Sequence, residues 1–145
     1  MPTVQDVLAN KGSSLHAVDS QMTVLKATQL MNEHKIGAVV VTENGRVAGI
    51  FTERDVLTRV VAQQLPPAET LVADVMTRDV ICCDTTADLD DVSAIMKDRR
   101  IRHIPVCMNE GELAGLISIG DVNAQYASNQ QQHIHFLSDY IYGRT

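Results

Sequence analysis

Apolar and polar positions alternate in one long pattern that the chain writes twice. Residues 19–31, DSQMTVLKATQLM, carry Val24, Ala27, Leu30 and Met31 at the spacing of one helix face. Residues 84–96, DTTADLDDVSAIM, repeat it with Leu89, Val92, Ile95 and Met96. Thr23 and Asp88 stand just before these stripes, where an oxygen-bearing side chain caps the first turn. Each helix is followed by an apolar, β-branched run, GAVVVT (37–42) or HIPVCM (103–108), which predicts a strand. Next comes ENG or NEG. Asn44-Gly45 is a strong two-residue hairpin signal, because a type I′ turn needs positive φ at both positions. A second strand follows, RVAGIF (46–51) or ELAGLI (112–117), and then a helix opens at TERDVLTRVVA or SIGDVNAQYA. Short first strands fall near LHAV (15–18) and VICC (80–83), so each unit reads strand, helix, strand, strand, helix.

The fold class this predicts is α/β (α+β), a tandem of two similar units. QQLPPAET (63–70) carries Pro66-Pro67, cannot continue a helix, and reads as the linker. The expected boundaries are 1–64 for the first repeat, 65–127 for the second and 128–145 for a C-terminal helical tail. Strands this apolar imply a sheet covered on both faces. A unit of roughly 60 residues buries little surface alone, so the two are expected to pack together. In the tail, Ile134, Leu137 and Ile141 recur at helical spacing, with Phe136 and Tyr140 an i, i+4 pair. Such a stripe needs a surface to cover it, on its own repeat or on a second subunit.

Composition narrows the partners. Of the 145 residues, 45% are hydrophobic and 21% charged, enough apolar material for a core. The net charge of -6 offers no basic face for nucleic acid. The N-terminus has no secretory pattern, and the apolar run AVVV is far too short to cross a membrane. Three cysteines provide no disulfide framework. The expectation is a reduced, cytoplasmic protein.

The repeat keeps few polar elements. GIFTERDV (49–56) returns as GLISIGDV (115–122). Thr52 and Ser118 sit where a strand meets a helix, and Asp55 and Asp121 stand three residues later. One reading is purely structural: a hydroxyl cap with a carboxylate in the first turn, which the helix dipole favours. A second reading is a recognition site. Free N–H groups at a helix start attract phosphate, and a fixed carboxylate there can accept both hydroxyls of a ribose. Gly49 and Gly115 would allow close backbone approach.

The doubled unit, the motif G-h-h-[TS]-x-x-D-h in each copy and RIRHIPV (100–106) before the second hairpin resemble a pair of cystathionine β-synthase (CBS) domains. The resemblance spans residues 4–127, with VQDVL (4–8) and VADVM (72–76) leading into the repeats, and is to stand-alone bacterial CBS-pair proteins. It implies two clefts between the repeats, related by a pseudo-twofold axis, that bind adenine nucleotides. By the same resemblance Asp55 and Asp121 would hold ribose, and Thr52 and Ser118 would lie near ribose or phosphate. Arg102 and His103 would approach phosphate, with Lys35 as the basic residue of the first repeat. Gly37 and Ala38 stand where the second repeat has Arg102 and His103, so the anionic grip is expected to be unequal. Ile36, Ile101 and Pro105 would wall the base, though a plain core would use such residues equally; Arg54 either reaches a phosphate or solvates an exposed first turn. The resemblance also implies a homodimer.

Other features point away from chemistry. Cys82 and Cys83 are adjacent on a strand and face opposite ways, so they do not share one metal ion. His133 and His135 lack the i, i+4 spacing of helical zinc motifs. No nucleophile–base pair or phosphate-cradling loop is visible. The expected function is a non-enzymatic sensor that binds AMP or ATP and transmits occupancy to a regulated protein. NAD(H) is a further candidate, and S-adenosylmethionine a weaker one because its sulfonium is positive. The alternatives are a constitutive dimeric scaffold with vestigial clefts and a metal-dependent nucleotide hydrolase.

Overall fold

Two hairpins form the centre of the computed structural model, which describes residues 2–11, 17–109 and 111–128. The predicted tail falls outside the described residues apart from Ser128, as do Leu15 and His16 of the first predicted strand. The chain runs α1 (Val4–Lys11), β1 (Ala17–Asp19), α2 (Val24–His34), β2 (Ala38–Glu43) and β3 (Arg46–Thr52). α3 follows as one α-helical turn, Glu53–Asp55, that widens into a π-helix over Val56–Val61. Then come α4 (Val72–Val75), α5 (Leu89–Arg99), β4 (His103–Met108), β5 (Glu112–Ser118) and α6 over residues 119–128.

The caps are where the pattern places them. Thr23 Oγ1 accepts from Lys26 N–H, and an Asp88 carboxylate oxygen accepts from Asp90 N–H. α2 and α5 both end on a left-handed residue, Lys35 at φ 54° and Arg100 at φ 53°. Asn44 (φ 54°) and Gly45 (φ 79°) make the tight first hairpin, and Asn109 and Gly111 are left-handed in the second. The sheet order is β1-β2-β3-β5-β4, with the two hairpins meeting edge to edge at Arg46 and Glu112. The second repeat's first strand is shorter than VICC predicts: only Cys83 bridges to β4, opposite Val106. The Asp84 carboxylate accepts from Thr86 N–H just beyond Cys83 and turns the chain away. The long α-helix expected at TERDVLTRVVA is instead mostly π-helix. Within it, Thr58 Oγ1 donates back to Arg54 O, an i−4 bond that competes with the regular ladder.

Core membership crosses between the repeats. Val72, Val75 and Met76 of the α4 region pack with Val24, Ala27, Met31, Val39, Val41 and Phe51. Val4 and Val7 of α1 pack with Leu89, Val92, Met96, Ile104, Val106 and Ile117 of the second repeat. Each repeat's core is therefore completed by the other's lead helix. Among the described residues no helix is long and apolar enough to cross a membrane.

The crossing is tightest at Gly49. Ile50 and Thr77 exchange two backbone hydrogen bonds of 2.9 Å, and a Cβ at Gly49 would lie 2.3 Å from Thr77 O. At Gly115 the obstacle is the end of the Leu8 side chain at 2.8 Å, which can turn aside. Gly49→Ala is expected to destabilise the protein by about 1–3 kcal/mol and Gly115→Ala by less. Urea denaturation of the two variants checks the order; equal midpoints would show that the α4 junction is not the tighter contact.

Candidate functional site

Both repeats build the same corner where a strand gives way to a helix. In the first, Asp55 N–H donates to Thr52 Oγ1 at 3.1 Å and Thr52 N–H to Asp55 Oδ2 at 3.0 Å. In the second, Asp121 N–H donates to Ser118 Oγ at 3.1 Å and Ser118 N–H to Asp121 Oδ2 at 2.9 Å. These are reciprocal capping boxes. Thr3 and Asp6 make a third at the start of α1. Capping alone therefore accounts for the Ser/Thr-x-x-Asp spacing, and location must separate any further role.

Location does separate them. A cleft of about 810 Å³ opens between the repeats, within the size range of small-molecule sites. Thr52, Arg54, Asp55, Ile101, Arg102, His103 and Ser118 line it. Asp6 does not. Of the other residues singled out in the sequence, Ile36 packs against the first core and Pro105 is buried within β4. Lys35 ends α2 on an exposed surface. Asp121 faces a separate recess of about 260 Å³ beside Lys11. The backbone explains the grouping: Ile119 N–H donates to Arg102 O, fixing the Arg102–His103 corner against the start of α6. His103 pairs with Ser118 across the β4–β5 ladder.

Residues outside the motif complete the wall. Thr77 Oγ1 donates to Asp55 at 3.2 Å, and Arg59 Nε lies 3.5 Å from Asp55 Oδ1 while Arg59 Nη1 donates to Met76 O. Arg99, Arg100 and Asp79 also face the cleft. The lining thus sets four arginines (Arg54, Arg99, Arg100 and Arg102) against three carboxylates (Glu53, Asp55 and Asp79). Arg100 was legible in its RIRHIPV context, but nothing marked Thr77, which reaches Asp55 only through the α4 junction.

The two motif carboxylates have different partners. Lys11 Nζ donates to Asp121 Oδ2 at 2.8 Å and to Leu116 O at 2.6 Å. Burial opposes ionisation of Asp121, but the Lys11 and Ser118 hydrogen bonds outweigh it and hold the carboxyl below its usual range. Burial, then Lys11 and Arg102, push the His103 imidazole below its usual range. Among the described residues no group of three or more His, Cys, Asp or Glu is placed to hold a metal.

Known proteins share this fold. The family model for the CBS domain matches residues 4–62 and 72–127. The chain is a CBS domain pair. It is 35% identical over 150 residues to the mitochondrial CBS domain-containing protein CBSX3 of Arabidopsis thaliana, covering 97% of this chain and 72% of that one. The crystal structure of the CBS-domain containing protein ATU1752 from Agrobacterium tumefaciens is 40% identical, with a TM-score of 0.78 over 86% of this chain and 99% of that one. The CBS pair of protein MJ0100, solved with 5′-methylthioadenosine and S-adenosyl-L-methionine, shares the fold at a TM-score of 0.77 and 21% identity, over 88% of this chain and 98% of that one. CBS pairs are regulatory modules.

The Lys11 contact predicts a pH signature within this CBS pair. A carboxyl with a depressed folded pKa adds stability above its unfolded value near 3.8, and that stability is lost as pH falls through the lower folded value. Lys11→Met is expected to raise the Asp121 pKa toward the ordinary carboxylate value. Arg59→Met, which touches Asp55 instead, should leave it unchanged. Carboxyl NMR titration of both variants reads this directly; no shift in Lys11→Met would mean that the Ser118 bonds alone set it.

Proposed function

We propose that this CBS pair is a non-enzymatic sensor that binds an adenine nucleotide in the cleft between its repeats. The observation that carries this reading is the polarity of the cleft. A buried carboxylate with hydroxyl neighbours, Asp55 with Thr52 and Thr77, shares it with Arg99, Arg100 and Arg102. The ribose hydroxyls donate to Asp55, displacing or joining the Thr77 hydroxyl. The phosphates meet the arginines, whose planar donor forks suit phosphate oxygens. His103 adds a hydrogen bond. Ile101 lies against the base.

Adenosine compounds held by the MJ0100 pair support the choice of ligand class. The arginine excess favours AMP, ATP or NAD(H) over S-adenosylmethionine, whose sulfonium it repels. Bound ligand shifts the packing of the repeats only through its differential affinity for the two arrangements, and a regulated protein reads the shift. Homodimerisation is supported by Leu57 and Val61 on the π-helix, 62% and 59% exposed, with Leu65 beyond them. Leu57→Asp is then expected to yield a monomer by light scattering; an unchanged mass would remove that surface from the dimer. The scaffold reading also has an observation behind it, since the capping boxes use both motif carboxylates.

A thermal-shift series separates sensor from scaffold. Nucleotide at 100 times its dissociation constant should stabilise the protein by about 2.7 kcal/mol. Asp55→Ala should abolish the rise, whereas Asp6→Ala, which loses a capping box outside the cleft, should retain it. Arg102→Ala should weaken ATP about 10- to 100-fold, the loss of a charged hydrogen bond, and adenosine far less. No stabilisation by any adenosine compound, in protein free of bound nucleotide, would leave the scaffold.

A further inference from the structure

The adjacent Cys82 and Cys83 lie on a segment that runs beside β4, the strand that carries the third cysteine, Cys107. Cys83 N–H donates to Pro105 O at 3.0 Å, and Cys107 N–H donates to Cys83 O at 2.8 Å. That parallel register sets Cys83 opposite Val106, and Cys83 packs with the second core. Side chains alternate along extended chain, so Cys82 and Cys107 fall together on the other face. There the two thiols are diagonal neighbours, Cys82 exposed and Cys107 half-buried.

We propose that Cys82 and Cys107 form a reversible intrachain disulfide in response to hydrogen peroxide, and that the bond clamps one wall of the cleft. Exposed Cys82 reacts first. Its thiolate attacks the peroxide, the O–O bond breaks, water leaves and a sulfenic acid remains. Cys107 then loses its proton to solvent as its sulfur attacks the Cys82 sulfur; the S–O bond breaks and a second water leaves. Two thiols are oxidised and one peroxide is reduced to two waters. A dithiol reverses the bond by exchange.

The division of roles follows from the surroundings. Burial and the neighbouring Cys82 push the Cys107 thiol up to about 12, so it stays protonated until the sulfenic acid forms beside it. Burial pushes Cys83 up to about 11, and its core packing keeps it out of the reaction. Asp79, Val80 and Ile81, immediately before Cys82, line the cleft, as does His103 at the start of β4. A bond from Cys82 to Cys107 therefore ties two lining segments together, whatever the cleft binds.

Reduced full-length protein titrated with hydrogen peroxide and mapped by non-reducing tryptic mass spectrometry tests this. The expected product is a cross-link, two hydrogens lighter, between the peptide spanning 79–97 and the peptide beginning at His103. It should persist in Cys83→Ser and vanish in Cys82→Ser and Cys107→Ser. Fragmentation of the cross-linked wild-type peptides assigns the bond to Cys82 or Cys83 even if a variant folds poorly, and a Cys83–Cys107 bond would overturn the proposal. A Cys82–Cys83 bond, a bond between two chains, or over-oxidised Cys82 without a cross-link would each overturn the proposal.

Discussion

Everything in this fold hangs on an exchange of lead helices. α1 begins the chain yet fills the core of the second repeat, while α4 fills the core of the first. Fully burying one valine is worth about 1.5–3 kcal/mol, so releasing Val4 and Val7 would remove a large part of a domain's usual net stability of about 5–15 kcal/mol. Neither repeat is complete without the other's leader. The same crossing builds the cleft: the Ile50–Thr77 backbone pair delivers Thr77 to Asp55 and starts residues 79–81 along the wall. Packing and site share one junction, and a shift in one must be felt in the other.

The exchange is symmetric in topology but not in charge. After α4 the chain presents the neutral Thr77 hydroxyl to Asp55, whose cationic partner Arg59, 3.5 Å away, comes from the repeat's own helix. After α1 it presents Lys11 to Asp121, a cation that neutralises the carboxylate. Two motifs alike in the sequence thus become one carboxylate open to the cleft and one held in a side recess. The arginines add a second asymmetry: Arg99, Arg100 and Arg102 come from the end of α5 and the turn into β4, where the first repeat has His34, Lys35 and Gly37. These two differences of charge would make the grip on an anion unequal, as the sequence leads one to expect.

Legibility followed the range of the interaction. Helix stripes, caps and the Asn44-Gly45 turn depend on neighbours within four residues and were readable directly. The doubled motif revealed the pairing of repeats because it is a local pattern written twice. What escaped was set by distant contacts. The π-helix at Val56–Val61 arises where Arg59 reaches Met76 and Asp55 and Thr58 bonds back to Arg54, none of which a 3.6-residue period reveals. Lys11 finds Asp121 across 110 residues, and Cys107 comes beside the Cys82-Cys83 pair only because β4 runs along it. Reading Cys82 and Cys83 as facing opposite ways was sound, but it left unseen the third thiol that one of them meets.

The central claim is that Asp55 holds the ribose and the arginines hold the phosphates of one nucleotide. A crystal structure of the chain grown with ATP tests it most directly. The account predicts both ribose hydroxyls within hydrogen-bond distance of the Asp55 carboxylate and phosphate oxygens on Arg102. Nucleotide bound with its ribose away from Asp55, or seated instead at Asp121 with Lys11 displaced, would contradict it.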